Sequence, residues 1–544
     1  MSMAHSPHEP SPPTPKQIRV CIIGAGISGL RAASLLCNTN TNTATSTSTS
    51  ITVTILEARN RVGGRVAQST RFGTSLDIGA SWIHGTEGNP FVRLAAEAGS
   101  AVVASGAVDS ICGADGAWIE AGTAGAYYQE VWEVLGLAME RSRGALAGAG
   151  GEIGEEVRMM DFFREEVKRR ARAESGSGSG SGEGAFRKPD GYDYEGLMLQ
   201  IVEMWGAFMG DDCENQSLRN LALDAGLDGD NLLVASTFKD IIHRLLLAVG
   251  HKATLCLNCE VTSIARDPRP TGSPGVTINA SDGFSGTFDD VIVTAPLGWL
   301  KRNSHVFSPP LSPPLETAIQ SLGYGNLDKV FIRFPRAFWD TAQNHTLATG
   351  MSESTPARPF PVESLFLSPA YAPETNPAGW RTEIISFSGL PGQHAQPVLM
   401  FFVYGQWGRH ITGLVRGMKQ GPNSIEYHRI LDRHFRPYYS RMPNYDAASA
   451  DCEPLEFMST DWQNDPLAGY GSFTNQPVGS GDCAEHFRVL REGMGEDRGI
   501  WFAGEHTSPP GGLGTVTGAY WSGEEAARRV ARRHGIVLNM PPSH

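Results

Sequence analysis

An α/β fold, α+β over the whole length, is the fold class that the sequence predicts, and three observations predict it. First, a β-branched apolar run from Ile18 to Ile23 ends in Gly24-x-Gly26-x-x-Gly29 and passes straight into the helix-forming stretch RAASLL. Second, another apolar run, ITVTILEA, follows that helix and carries Glu57 at its end. Third, the later strand-like runs LCLNCEVTSIAR, VTINAS, FDDVIVTAP, DKVFIRF and PVLMFFVYG are interleaved with helix-spaced stretches.

The first two observations make one unit. In such a strand–turn–helix, the first glycine allows a tight turn, the second lets backbone approach a pyrophosphate, and the third lets helix pack on sheet. Glu57 ends the next strand, where a carboxylate accepts hydrogen bonds from ribose hydroxyls. The spacing from Gly29 to Glu57 exceeds the usual ~20 residues. A polar repeat, NTNTNTATSTSTS at 38–50, accounts for the excess and reads as a solvated loop. Glu57 also opens EARNRVGGR, where Gly63 and Gly64 permit a second close backbone approach and Arg65 offers a fork for a phosphate. A Rossmann-like dinucleotide-binding unit is the expectation.

Along the rest of the chain, residues 1–17 are Pro-rich and polar and read as a disordered arm, so structure is expected from Ile18. Residues 121–173 have helical spacing, and ESGSGSGSGEG at 174–184 reads as a flexible linker. YEGLMLQIVEMWGAF is a helix candidate, and from Asn231 the stretch LLVASTFKDIIHRLLLAV also has helical spacing. In the strand VFIRF, Val330, Ile332 and Phe334 fall on one face, with Lys329, Phe331 and Arg333 on the other.

With 544 residues, 40% hydrophobic and 19% charged, the chain can bury a large core and form two domains. A net charge of -13 argues against a nucleic-acid backbone as partner, since phosphate binding calls for a basic face. An acidic field attracts cationic substrates, but charge for solubility is the favoured account of it. Eight cysteines are thinly spread and expected as free thiols; Cys256-x-x-Cys259 lacks the second pair that a zinc site needs, so no metal is expected. There is no secretory leader, no apolar run near the ~18 residues of a membrane helix and no Ser-Lys-Leu ending, so the expected compartment is the cytoplasm, with no membrane partner.

Beyond these readings, five pieces in order resemble the flavin-containing amine oxidase family, which includes polyamine oxidases, monoamine oxidases and histone demethylases. They are GAGISGL with EARNRVGGR, LDIGASWIHGTEGNP at 76–90, VIVTAPLGWLK at 291–301, GNLDKVFIRFPRAFW at 325–339 and WFAGEHTSPPGGLGTVTGAYWSGEEAA at 501–527. The resemblance implies an FAD domain from 18–100, 218–310 and 455–538, and a substrate domain of mixed sheet and helices from 101–217 and 311–454. It gives Glu57 to the adenosine ribose, Arg65 to the pyrophosphate, and Val261 to a backbone contact with adenine. Gly64, Ala80, Glu505 and Val516 join the FAD site in the same way, the last two at the ribityl and pyrimidine ends.

For chemistry, the resemblance implies Lys329, the family's lysine that holds a water against the flavin. It also implies His84, just after Gly-Ala-Ser-Trp, as a substrate contact, and a histidine there is similar to the animal polyamine oxidase branch. Thr515 replaces the tyrosine of the monoamine-type aromatic cage, and GYGSFT at 469–474 lacks the cysteine that bonds FAD in monoamine oxidases, so FAD is expected to be non-covalent. Trp462 matches a flavin-side tryptophan; Tyr470 and Phe473 are further candidates for an aromatic wall. Asp211 and Asp212 could meet a distal ammonium or simply end a helix. The implied activity is oxidation of a polyamine C–N bond with O2 as acceptor. The alternatives are another aliphatic or aryl amine, a histone-lysine demethylase, for which the long helical insertion and basic stretch are missing, or a flavin-binding protein without turnover.

Overall fold

The near-continuous apolar run Val20–Ile23 builds the centre of a parallel sheet, as strands buried on both faces do. The computed structural model describes residues 16–39, 49–106, 108–176, 191–266, 275–340, 360–421 and 423–538. Strand β1 (Lys16–Ile23) leads into helix α1 (Ile27–Cys37) and returns through β2 (Thr49–Leu56), in register Ile18↔Ile51, Val20↔Val53 and Ile22↔Ile55. Strand β3 (Ala253–Cys256) adds to β2, and β4 (Asp290–Val293) adds to the other edge of β1.

A second, six-stranded sheet contains β5 (Leu327–Arg333), β6 (Glu363–Phe366), β7 (Thr382–Ser386), β8 (Val398–Tyr404) and β9 (Glu456–Ser459). Its order is β9-β5-β8-β7-β6 and then the short strand Ile111–Cys112. The alternation read from VFIRF holds: Val330, Ile332 and Phe334 pack with Phe401, Val403 and Trp407, whereas Phe331 packs with Met400 and Phe402 on the opposite face. Lys329 shares the Phe331 face, which is the one turned toward the first sheet's ligand-binding edge.

The chain then closes the first sheet with β10 (Ile500–Phe502) beside β4 and ends its described part with α2 (Val516–Arg533). Helices α1 and α2 cross closely because Gly523 lacks a side chain; a Cβ there would lie 2.3 Å from the Ser28 carbonyl oxygen. Leu30 and Ala33 of α1 and Ala527 and Val530 of α2 share one core with Val20 and Ile55. At the far edge, fully buried Asp290 accepts hydrogen bonds from Trp501 Nε1 (2.9 Å), Arg533 Nη1 (2.6 Å) and His534 Nε2 (2.5 Å). Asp290→Ala strands these donors and is expected to cost about 3 kcal/mol. Urea unfolding reads that loss as a lower midpoint at constant slope, and an unchanged midpoint contradicts it.

Several expectations need correction. Strand β1 begins at Lys16 because Lys16 and Gln17 pair with Thr49 and Ser50. The same pairing places the end of the 38–50 insert inside β2; residues 1–15 and 40–48 lie outside the described residues. The 121–173 stretch forms helices Ala121–Leu146 and Met159–Gly176, so helix continues into the expected linker, whose residues 177–184 lie outside the described residues. The 231–249 stretch is not helical throughout: Leu232–Val234 is a strand paired with Trp82–Ile83 and Val102–Ala104, and only Lys239–Val249 is helix.

Two elements pack across the expected domain borders. Strand β9, placed after the expected border at 455, pairs with β5 and belongs to the second sheet. Conversely, the helix Pro313–Ser321, expected in the substrate part, buries Leu315, Ala318 and Ile319 with Val291 and Val293 of the first sheet. No helix among the described residues is long and apolar enough to cross a membrane.

Candidate active site

The glycine turn after β1 has the conformation that its spacing requires. Gly24 has φ +107°, and Gly29 has no room for a Cβ, which would lie 2.0 Å from the Gly24 carbonyl oxygen. The third glycine therefore packs the turn against itself. Gly26 differs: a Cβ on it would meet nothing within 4 Å, so the chain leaves open space at the start of α1. Gly26 supplies no side-chain cap, and the first turn of α1 contains no acidic residue. Unsatisfied N–H groups at the positive end of a helix, facing open space, fit a pyrophosphate.

Around that gap the expected partners converge. Glu57 is buried, with Oε2 accepting from Ala25 N–H (2.7 Å) and Oε1 from Arg59 N–H (2.8 Å). Each carboxylate oxygen keeps a lone pair for a ribose hydroxyl. Gly63 N–H donates to the Ala25 carbonyl (2.9 Å), and Gly64, with φ +59°, brings its backbone against Gly26. Arg65 Nη1 donates to Glu505 Oε1 (2.9 Å) and to the Ser472 carbonyl (2.6 Å). Glu505 is further held by Thr474 through its N–H (3.3 Å) and hydroxyl (3.1 Å).

One cavity of about 730 Å³ runs from this cradle to Lys329. Gly24, Gly26, Glu57, Gly64, Arg65, Ala80, Val261, Glu505 and Val516 line it, together with His84, Lys329, Trp462, Phe473 and Thr515. With a helix N-terminus at one end, the space and its donors suit FAD.

At the other end, Lys329 is 4% exposed. Its Nζ donates to the carbonyls of Gly79 (2.6 Å) and Asp77 (3.1 Å) and meets Ser81 Oγ at 3.1 Å. Burial pulls its pKa down, against the pull of the Asp77 charge, and burial pushes the Asp77 carboxyl up. Thr460 ties the strand in place: its hydroxyl accepts from Lys329 N–H (2.8 Å) and donates to Asp328 Oδ1 (2.7 Å). Trp462 donates its own N–H to the same Asp328 oxygen (2.8 Å) and its indole N–H to the Ile78 carbonyl (2.8 Å), which fixes the ring at the cavity wall.

His84 packs its ring 5.9 Å from Phe208, and burial lowers its pKa against a hydrogen bond with Asn231 that favours the charged ring, so the net effect is toward the neutral form. Thr515 lines the cavity, but its hydroxyl caps α2, accepting from Gly518 N–H (3.0 Å) and donating to the Gly512 carbonyl (2.8 Å). Tyr470 is not a wall residue. It sits at φ +62° in a turn, is 40% exposed, and stacks under the Arg302 guanidinium outside the cavity. Asp211 and Asp212 also lie outside; Asp211 accepts from Asp212 N–H at the turn after a helix. Among the described residues no cluster of His, Cys, Asp and Glu could hold a metal, and the eight cysteines are free.

Sequence reading missed the wall opposite the cradle: Tyr128, Trp132, Trp205 and Phe208 from the helical region, and Phe402, Glu363 and Glu383 from the second sheet. The helical spacing of the aromatics was visible, but which helix face meets the second sheet was not.

Comparisons with known proteins give the family and the fold. The family model described as flavin containing amine oxidoreductase matches residues 27–531. Polyamine oxidase 4 of Oryza sativa subsp. japonica is 27% identical over 536 residues, covering 97% of this chain and 91% of its own length. The peroxisomal N(1)-acetyl-spermine/spermidine oxidase of Bos taurus is 25% identical over 541 residues, covering 94% of both chains. Among solved structures, a putrescine oxidase redesigned in its cofactor binding superposes with a TM-score of 0.62 at 17% identity, over 96% of this chain and 100% of that one.

Proposed function

The chain belongs to the family of flavin containing amine oxidoreductases and is an FAD-dependent oxidoreductase acting on amines; on that premise we propose that its substrate is a polyamine such as spermine, spermidine or an acetylated form. The observation that carries the reading is Lys329, a buried amine in the same cavity as the dinucleotide cradle and aromatic walls. Bound FAD supplies the acceptor of the hydride from the carbon beside the amine nitrogen, and O2 takes up the electrons as H2O2.

The chain's own residues bind, orient and move protons. As an ammonium, Lys329 spends its three protons on Gly79, Asp77 and Ser81. Once neutral, Nζ keeps two protons, and its lone pair takes a proton, relayed by a water, from the substrate ammonium, which frees the nitrogen lone pair that hydride loss from the α-carbon requires. That water adds to the imine product, which then breaks to an aldehyde and an amine. Burial favours the neutral form. Neutral His84 accepts or donates one hydrogen bond to the amine nitrogen, while Trp462 and Phe402 keep bulk water from the reacting carbon. Glu57 would hold the ribose, Val261 the adenine, and Arg65 with Glu505 the central part of the cofactor.

We assign the five-stranded sheet and its helices to cofactor binding and the six-stranded sheet with the 121–209 helices to substrate binding. The free cysteines support a reducing, cytoplasmic location, which a fluorescent fusion tests. FAD is held without a covalent bond, so acid precipitation is expected to leave the yellow colour in the supernatant; colour in the pellet contradicts this.

The test of function is peroxide release from flavin-loaded enzyme offered spermine, spermidine, N1-acetylspermine, benzylamine and hexylamine. Turnover of a polyamine well above both monoamines is expected. Turnover of the monoamines alone, or of none, overturns the polyamine assignment.

A further inference from the structure

Two glutamates stand in the cavity wall with no cation to meet them. Glu363 of β6 and Glu383 of β7 belong to neighbouring antiparallel strands paired as Glu363↔Ile385 and Leu365↔Glu383. That register puts both carboxyls on one face as diagonal neighbours. Among the described residues neither has an ion-pair partner, and Glu383 accepts no hydrogen bond from the chain; the near polar groups are the Ser105 and Tyr128 hydroxyls. Burial pushes both carboxyls up, and Glu383 is raised further by Glu363. Arg381, just before β7 and on the same face as Glu383 by strand alternation, is paired with Glu203 at 3.9 Å. Carboxylates drawn out of bulk water into a cavity wall without a cation are costly to a fold.

Their place relative to Lys329 follows from the sheet. Lys329 of β5 pairs with Phe402 of β8. Ile384 of β7 pairs with Phe401, so the adjacent Glu383 stands beside Phe402. One rung of the sheet therefore runs Lys329, Phe402, Glu383, Leu365, and each of these lines the same cavity. At ~4.8 Å per strand, the Glu383 backbone lies roughly 10 Å from that of Lys329, with Glu363 one strand further. Tyr128 and Trp132 add aromatic surface at that end, which suits a cation.

We propose that Glu363 and Glu383 form the far-end anchor of the substrate channel, binding a second cationic nitrogen of the substrate while the reacting amine lies at the Lys329 end. They make the enzyme selective for chains with two or more amines. The inference rests on the polyamine reading above and supplies its specificity device.

The test compares kcat and KM for spermidine and hexylamine in flavin-loaded wild type, Glu363→Gln, Glu383→Gln and the double variant. The double variant is expected to raise KM for spermidine about 30-fold, the size of a lost charge-assisted contact, with kcat within about threefold and KM for hexylamine unchanged or lower. Glu383→Asp is expected to recover part of the loss. If wild type oxidises spermidine but the ratio of the two KM values is unaltered in every Gln variant, the anchor is wrong and the polyamine reading survives. If wild type oxidises hexylamine alone, the polyamine reading falls and the anchor with it. Flavin absorbance per chain checks folding, and either single variant carries the comparison if the double loses flavin.

Discussion

Lys329→Met is expected to lower kcat/KM for the preferred amine by about 10³-fold while the protein stays folded and yellow, because a positioned proton-transfer group contributes on that order. Methionine fills the lysine's volume without its nitrogen, so Phe402 and Trp462 keep their packing. Gly79 and Asp77 carbonyls lose their donor, a local cost, but the buried charge leaves too. Loss of the ammonium also removes one of the groups that restrain the Asp77 pKa, beside the Gln68 amide and the Phe238 N–H, so that pKa rises further. Stopped-flow peroxide assays with a thermal melt separate the outcomes: a rate within about threefold of wild type refutes the catalytic role, whereas a collapsed melt reports only damage to the fold.

Gly26→Val and Gly29→Ala are expected to fail in opposite ways. Gly26 has an extended backbone that any residue adopts, and its Cβ would point into open space, so valine leaves the fold intact and occupies the place that the pyrophosphate needs. A folded, colourless protein with FAD affinity reduced at least about 100-fold is the expected result. Gly29→Ala sets a Cβ 2.0 Å from a backbone oxygen, which only main-chain movement relieves, at a cost of about 3 kcal/mol. Its melt should fall sharply with or without FAD. A Gly26→Val protein purified with stoichiometric flavin contradicts the cradle.

The contrast also explains what the sequence made legible. Gly24, Gly26, Gly29 and Glu57 could be read because turn, helix start and strand end are local features, governed by residues a few positions apart. Lys329 was legible to the extent that strand alternation assigns a face, and both faces of β5 pack as that alternation requires. Tyr470 was misread because nearness in sequence to Trp462 says nothing about direction: the positive φ at Tyr470 turns its ring out to Arg302. Glu363 and Glu383 were not singled out in the sequence, since only the packing of helices 121–146 and 194–209 over that sheet face encloses them. The Leu232–Val234 strand was hidden for a similar reason, its partners lying more than a hundred residues earlier. Long-range pairing overrode a helical pattern there.

The central claim is that one cavity brings an amine's α-carbon to FAD under the control of Lys329. Anaerobic mixing of the flavin-loaded enzyme with spermine or spermidine, followed by the flavin absorbance, tests it most directly. The account predicts rapid bleaching of the yellow band, slowed by about 10³-fold in Lys329→Met and reversed on admitting air. A band that stays yellow with every polyamine and monoamine offered would contradict it.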